Sequence, residues 1–171
     1  MTAVAGPTSA IIDIGGGDAM LVDALLDRGH ERITVLDLSG AALTRARTRL
    51  GTRASSVSWI EADITQVVLP ANTVDVWHDR AVFHFLTEDE DRARYVTRAA
   101  ASVRSGGALI VGTFALDGPT RCSGLEVARY SPDLLAAQFA LDFALDYTVA
   151  DVHATPWGAE QHFTFAVFRR R

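Results

Sequence analysis

The chain has 171 residues, 49% of them apolar and 22% charged, with a formal net charge of −5 at pH 7. That length suits one domain with a substantial core, and the sign of the charge argues against a nucleic-acid surface. Cys122 is the only cysteine, so neither an intrachain disulfide nor a cysteine metal site is possible, and no bound metal is expected.

The amino terminus, Met1–Pro7, lacks a basic region followed by an apolar core, and no apolar run reaches membrane-spanning length. No membrane association and a reducing cytoplasm are expected. Residues 10–19 then read as an apolar strand, an acid, three glycines and a helix start. The spacing predicts a strand over Ala10–Ile14 and a helix over Met20–Arg28, with Leu21, Ala24 and Leu25 on its inner face. Gly15, Gly16 and Gly17 let the backbone turn sharply and approach a ligand with no Cβ in the way. A second strand, Ile33–Leu36, is closed by Asp37. It leads into a helix over Ala41–Leu50, with Leu43, Ala46 and Leu50 inward and Ser39 as N-cap.

A third strand, Val57–Ile60, is followed by Asp63, and a fourth runs over Val74–Trp77. Thr87 is placed to cap a helix from Glu88 to about Arg104, whose acidic first turn suits the helix dipole. Arg104–Gly107 ends that helix, and Ala108–Phe114 is the fifth strand. Residues 115–130 read as a long irregular loop, and Ser131-Pro132 opens a further helix. Two strands close the chain, Asp146–Val152 and His162–Arg169, joined by a loop containing Pro156 and Gly158. In the second, Phe163, Phe165 and Val167 alternate with Thr164, Ala166 and Phe168, which fits an antiparallel hairpin at a sheet edge. Trp157 and Gly158 in its turn are expected to be structural, and Arg169–Arg171 to be a solvated tail. The fold class is α/β: a doubly wound, mostly parallel seven-stranded sheet with a C-terminal antiparallel hairpin, in one domain spanning 1–171.

Three successive strand ends carry carboxylates, Asp13, Asp37 and Asp63, where an open α/β sheet binds its ligand; this points to a nucleoside-containing cofactor. Asp13-Ile-Gly-Gly-Gly-Asp-Ala19 is similar to the acidic-x-Gly-x-Gly-x-Gly loop of class I S-adenosylmethionine-dependent methyltransferases, with Ala19 in place of the last glycine. Arg104-Ser-Gly-Gly-Ala-Leu-Ile-Val-Gly112 resembles that family's motif before its fifth strand. The resemblance covers residues 10–170 and implies a Rossmann-like methyltransferase fold. A nicotinamide dehydrogenase uses a related loop, but here Gly15-x-Gly17-x-x-Met20 lacks its third glycine.

The resemblance implies S-adenosylmethionine as cofactor. Asp37 would take the ribose hydroxyls, with Leu38 beside the adenine. Asp63 would accept from the adenine amino group, and the Ile64 N–H would reach a ring nitrogen. Asp13, Gly15, Gly16 and Gly17 would surround the methionine end, with His78 close by through its backbone. Asp75–Phe83 followed by Asp91–Tyr95 resembles the segment after the fourth strand of thiopurine and related thiol methyltransferases. Asp79-Arg80-Ala81 is also similar to a turn of some protein-lysine methyltransferases. Asp79, Arg80 and His84 are the catalytic candidates. An Asp79–Arg80 salt bridge fixing the turn, and packing of His84 between Phe83 and Phe85, are the bland readings. Arg121, Cys122, Arg129 and Tyr130 in the loop after the fifth strand are expected to shape acceptor specificity; Cys122 has no triad to make it a nucleophile.

The expected function is methyl transfer to a small-molecule acceptor, a thiol or other heteroatom. A protein-lysine methyltransferase and an S-adenosylmethionine-binding protein without transfer activity are the alternatives. About ten residues precede the first strand, where resembling enzymes carry lid helices. Cover is therefore expected from a homodimer partner or from residues 115–130 folding over the cofactor.

Overall fold

The computed structural model describes residues 5–155 and 158–171. Five parallel strands, β1 (Ala10–Ile14), β2 (Arg32–Asp37), β3 (Val57–Glu61), β4 (Val74–Arg80) and β5 (Val103–Phe114), form most of one sheet. A two-strand ribbon, β6 (Arg121–Cys122) and β7 (Leu125–Glu126), lies within the 115–130 segment, so that segment is not irregular throughout. β8 (Phe143–Ala154) and β9 (Glu160–Arg170) form the expected antiparallel hairpin, and β9 pairs antiparallel with β5. The order of the seven-stranded sheet is β3-β2-β1-β4-β5-β9-β8. The order reverses between β1 and β4, which opens a crevice at their carboxyl ends.

Helices α1 (Leu21–Asp27) and α2 (Gly40–Leu50) cover one face, over Ile11, Ile33, Val35, Val76 and Ile110. Helices α3 (Asp89–Ser102) and α4 (Pro132–Phe139) cover the other, over Ile12, Ile14, Trp77, Leu109 and Phe168. The alternation of buried residues along each strand divides the core into these two layers. Ser39 and Ser131 cap α2 and α4 through their hydroxyls, as expected. Three arginines of the α2 side meet three aspartates of the α1 side as rungs: Arg45–Asp18 at 2.5 Å, Arg49–Asp23 at 2.9 Å and Arg53–Asp27 at 2.6 Å.

Local readings need correction at five places. Arg169 and Arg170 lie in β9 and pair with Asp146 and Asp142, so they are not a solvated tail. On α1 Leu25 is buried and Leu21 packs half-buried against the same cluster, as expected, but the second fully buried residue is Val22 rather than Ala24, and Met20 lies outside the helix and exposed. Thr87 does not cap α3; Glu88 holds that position without a side-chain bond, and Arg92 ties down the Leu86 and Thr87 carbonyls instead. β5 begins at Val103, which pairs with Val74 before a register shift, so Arg104–Gly107 is a bulge inside a strand rather than a helix end. β4 runs three residues past Trp77, to Arg80. Gly158 turns the hairpin at φ +83°, whereas Pro156 and Trp157 lie outside the described residues. Among the described residues no helix is long and apolar enough to cross a membrane.

Phe139 is fully buried, and its ring meets those of Phe83, Tyr95, Phe143 and Phe168. Phe139→Ala empties the junction of α4 with the sheet. Urea denaturation is expected to show a loss of about 3–5 kcal/mol with little change in slope.

Candidate active site

The carboxyl ends of β1, β2, β3 and β4 converge on the glycine turn. Gly15 has φ +69°, and its N–H donates to the Leu36 carbonyl at 2.7 Å. A Cβ there would lie 2.1 Å from Cγ2 of Val82, so only glycine lets the turn after β4 close against the turn after β1. Gly17 N–H donates to Asp37 Oδ2 at 2.9 Å, and Ser39 N–H to Oδ1 at 2.8 Å. Asp37 thus joins the glycine loop to the start of α2, and each of its oxygens keeps a second lone pair for a ligand.

Two clefts flank this turn. The first, about 420 Å³, has Asp37, Leu38, Asp63 and Ile64 on one side and Val82 and Phe85 on the other. Its walls are apolar, with carboxylates at two edges. Asp63 accepts from Thr65 N–H and Oγ1 and from Gln66 Nε2 at 2.7–2.8 Å. Burial raises its pKa, but these hydrogen bonds outweigh it and hold the group below its ordinary value. Ile64 is buried and Leu38 is exposed at the rim. The second cleft, about 750 Å³, is lined by Asp13, Gly16, His78 and Arg80 from the parallel strands. Cys122, His153, Gln161 and Phe163 line it from the carboxyl-terminal part of the chain. A third groove of about 470 Å³ opens near the amino ends of β1, β2 and β3, away from these carboxylates.

Asp13, Gly15, Gly16, Gly17, Asp37, Leu38, Asp63 and Ile64 are therefore brought together around one turn. His78 joins them differently from the expectation: its side chain, not its backbone, makes the contact, with Nδ1 2.7 Å from Asp13 Oδ1. The other oxygen, Asp13 Oδ2, is buried with no partner among the described residues.

The three catalytic candidates separate. Arg80 is exposed and lines both clefts. Asp79 is fully buried and lines neither cleft. It accepts from Val82 N–H at 2.8 Å, Phe83 N–H at 3.0 Å and the Tyr95 hydroxyl at 2.6 Å, and forms no salt bridge with Arg80. Tyr95 in turn accepts from Trp77 Nε1 at 2.9 Å. The clamp holds Ala81 at φ +71° and Val82 over Gly15, so Asp79 shapes the site without facing it. Burial pushes its carboxyl up to about 6, against the pull of those hydrogen bonds. His84 is also fully buried, between the rings of Phe85 at 4.6 Å and Phe114 at 4.7 Å, with both nitrogens unpaired. Burial pushes its pKa down to about 4. Neutral and enclosed, it packs as an aromatic ring and does not reach an acceptor.

Of the loop residues, Cys122 reaches the second cleft and Arg121 is exposed. Arg129 braces the loop by donating to the Leu116 and Gly118 carbonyls. Tyr130 is a core residue rather than an acceptor contact. His153, Gln161 and Phe163 escape sequence reasoning. His153 and Gln161 are cross-strand partners, and their meeting at the cleft depends on hairpin register and on β9 pairing with β5. The alternation of residues 161, 163, 165 and 167 was the available signal.

The methyltransferase domain family matches residues 11–107. The mouse eEF1A lysine and N-terminal methyltransferase is 31% identical over 99 residues, which are 57% of this chain and 14% of that protein. The chain thus spans about one seventh of that relative's length. A solved S-adenosylmethionine-dependent methyltransferase from Methanosarcina mazei superposes with a TM-score of 0.81 at 13% identity, covering 99% of this chain and 95% of its own. The 1,6-didemethyltoxoflavin-N1-methyltransferase of Burkholderia thailandensis, solved with 1,6-didemethyltoxoflavin and S-adenosylhomocysteine, gives 0.74 at 20% identity, over 96% of this chain and 72% of its own.

Asp79 and His84 make opposite contributions to stability against pH. Asp79 has a raised folded pKa, so its contribution is present below about pH 4 and is lost as pH rises through 6. The folded pKa of His84 is depressed, so its contribution is present above pH 6.5 and is lost as pH falls through 4. Acidification from pH 6.5 to 4 is expected to cost Asp79→Asn about 3 kcal/mol relative to wild type, and to favour His84→Leu by about as much. Urea midpoints across that interval check both, and parallel curves for all three proteins would refute the assignment.

Proposed function

The chain belongs to the methyltransferase domain family, as a class I S-adenosylmethionine-dependent methyltransferase, and on that premise we propose that it methylates a heteroatom of a small molecule held in the second cleft. The observation that carries this reading is the form of that cleft. It is concave, about 750 Å³, and mixes aromatic walls with a few polar groups around the glycine turn. The reverse face of the turn supplies the nucleoside-sized cleft.

The residues fit the cofactor. Apolar walls at Leu36, Leu38, Ile64 and Phe85 suit a flat base, and Asp37 and Asp63 offer acceptors for hydroxyls and an amino group. The unpartnered Asp13 Oδ2 suits the amine of the methionine end. When bound, S-adenosylmethionine supplies a methyl carbon already activated by its sulfonium. The chain's own task is then to align the acceptor and exclude water. Arg80, between the two clefts, is suited to an anionic acceptor group. Leu125 at the first cleft and Cys122 at the second put the β6–β7 ribbon over the site, which favours this segment over a second copy of the chain as its cover. The lone cysteine beside the site suits a reducing compartment such as the cytoplasm.

The match to an eEF1A lysine and N-terminal methyltransferase supports a protein acceptor as the second reading. Screening S-adenosylmethionine with small phenols, amines and thiols, beside a lysine-containing protein mixture, separates the two. Transfer to protein alone would overturn the small-molecule reading.

Asp37→Ala is expected to weaken S-adenosylhomocysteine binding by about 2–3 kcal/mol, roughly 30- to 150-fold, in calorimetric titration of the folded variant. Near-wild-type affinity would remove Asp37 from the cofactor site. Amides of residues 120–127 are expected to gain protection from hydrogen exchange when S-adenosylhomocysteine binds, with light scattering reporting a monomer. A dimer with unchanged exchange would transfer the covering role to a second copy.

A further inference from the structure

Asp13 and His78 form a pair that cofactor binding alone does not account for. The two residues are register partners on β1 and β4, so their side chains project together on the same sheet face. The Asp13 carboxylate is 3% exposed and the His78 imidazole 14%. Nδ1 of His78 lies 2.7 Å from Asp13 Oδ1, while Nε2 has no hydrogen bond among the described residues. With Nδ1 held at the buried carboxylate, the ring edge left to the second cleft carries Nε2. A carboxylate behind an imidazole fixes its neutral form with the proton on Nδ1 and a lone pair on Nε2. It also stabilises the positive charge that follows proton uptake.

We propose that His78 is the general base of the transfer, that Asp13 is its positioning residue, and that the acceptor is a small aromatic molecule attacking through an oxygen or nitrogen that still carries its proton. This rests on the small-molecule reading above. In the step, the acceptor's X–H bond breaks and its proton passes to Nε2. The X–C bond forms as the C–S bond breaks, and that electron pair returns to sulfur to leave S-adenosylhomocysteine. The imidazolium that results faces Asp13 and releases its proton to solvent. An aromatic thiol is largely ionised near neutral pH and gives such a base little to do. Phe114 and Phe163 supply aromatic walls to the same cleft, and Arg80 a cation for charge developing on X.

Three probes test this with S-adenosylmethionine: catechol, 2-aminophenol and thiophenol. His78→Gln is expected to lower turnover on the first two by about 10²- to 10⁴-fold, with a much smaller loss on thiophenol. Affinity for S-adenosylhomocysteine stays within a few-fold of wild type. His78→Asn repeats the measurement should glutamine disturb packing. Independently of activity, nitrogen-15 NMR of histidine-labelled protein is expected to show the Nδ1-protonated tautomer at His78, and Asp13→Asn to abolish that preference. Equal losses on all three probes, product affinity falling in step with turnover, or the Nε2-protonated tautomer in wild type would each overturn the assignment. Wild-type protein that binds S-adenosylhomocysteine but methylates only thiophenol overturns the acceptor class and leaves the small-molecule reading standing. Transfer to protein lysine alone overturns both.

Discussion

The site depends on how closely two turns approach each other. Val82 occupies the space that a Cβ on Gly15 would need, and the buried carboxylate of Asp79 holds Val82 in place by accepting from the Val82 and Phe83 amides. Burying that carboxylate is unfavourable, and Tyr95 and Trp77 extend the hydrogen-bonded chain that makes it tolerable. Ala81 accepts a left-handed backbone as part of the same arrangement and donates its N–H to the Gly112 carbonyl. The carboxylate that looks most like chemistry in the fourth-strand motif is therefore scaffolding. It lies on the opposite side of β4 from the groups that line the second cleft.

Most of the architecture was legible because it is carried by local patterns. Apolar runs closed by acids marked the first three parallel strands, and Ser39 and Ser131 announced their helices. What failed to read was side-chain parity. With β4 ended at Trp77, the face presented by residues 78–80 was open; run on to Arg80, the period of two places His78 and Arg80 together and turns Asp79 away. His84 misled for a related reason. A histidine flanked by phenylalanines beside an active-site turn carries the same letters whether it faces the substrate or the core. His153, Gln161 and Phe163 belong to a third class: residues distant in sequence that meet only through sheet register.

The two layers of the core have different characters. Beneath α3 and α4 the packing is aromatic, with Phe83 and Tyr95 against each other and against Phe139, and Phe139 against Phe168. On the other face α1 and α2 pack aliphatic residues against β1 and β2, and their outer seam is joined by the three arginine–aspartate rungs. The two outer rungs are exposed and contribute little to stability, whereas the Arg49–Asp23 rung between them is half-buried and ties α1 to α2. The glycine loop enters one helix, and Asp37 precedes the other. The seam thereby sets the spacing of two groups assigned to the cofactor.

Among the described residues β8 has one neighbour, β9, and its other side presents unpaired backbone donors and acceptors. Leu145, Tyr147, Val149 and Val152 are exposed along it, a combination that invites runaway pairing with other chains. Two features oppose that growth. The register shift between Leu145 and Tyr147 breaks the strand into segments that no straight incoming strand matches throughout. Asp151, exposed and with no ion-pair partner among the described residues, sets a negative charge between Val149 and Val152 that an incoming apolar strand would have to bury. The sheet thus carries its own protection against aggregation along the same edge strand that brings His153 to the second cleft.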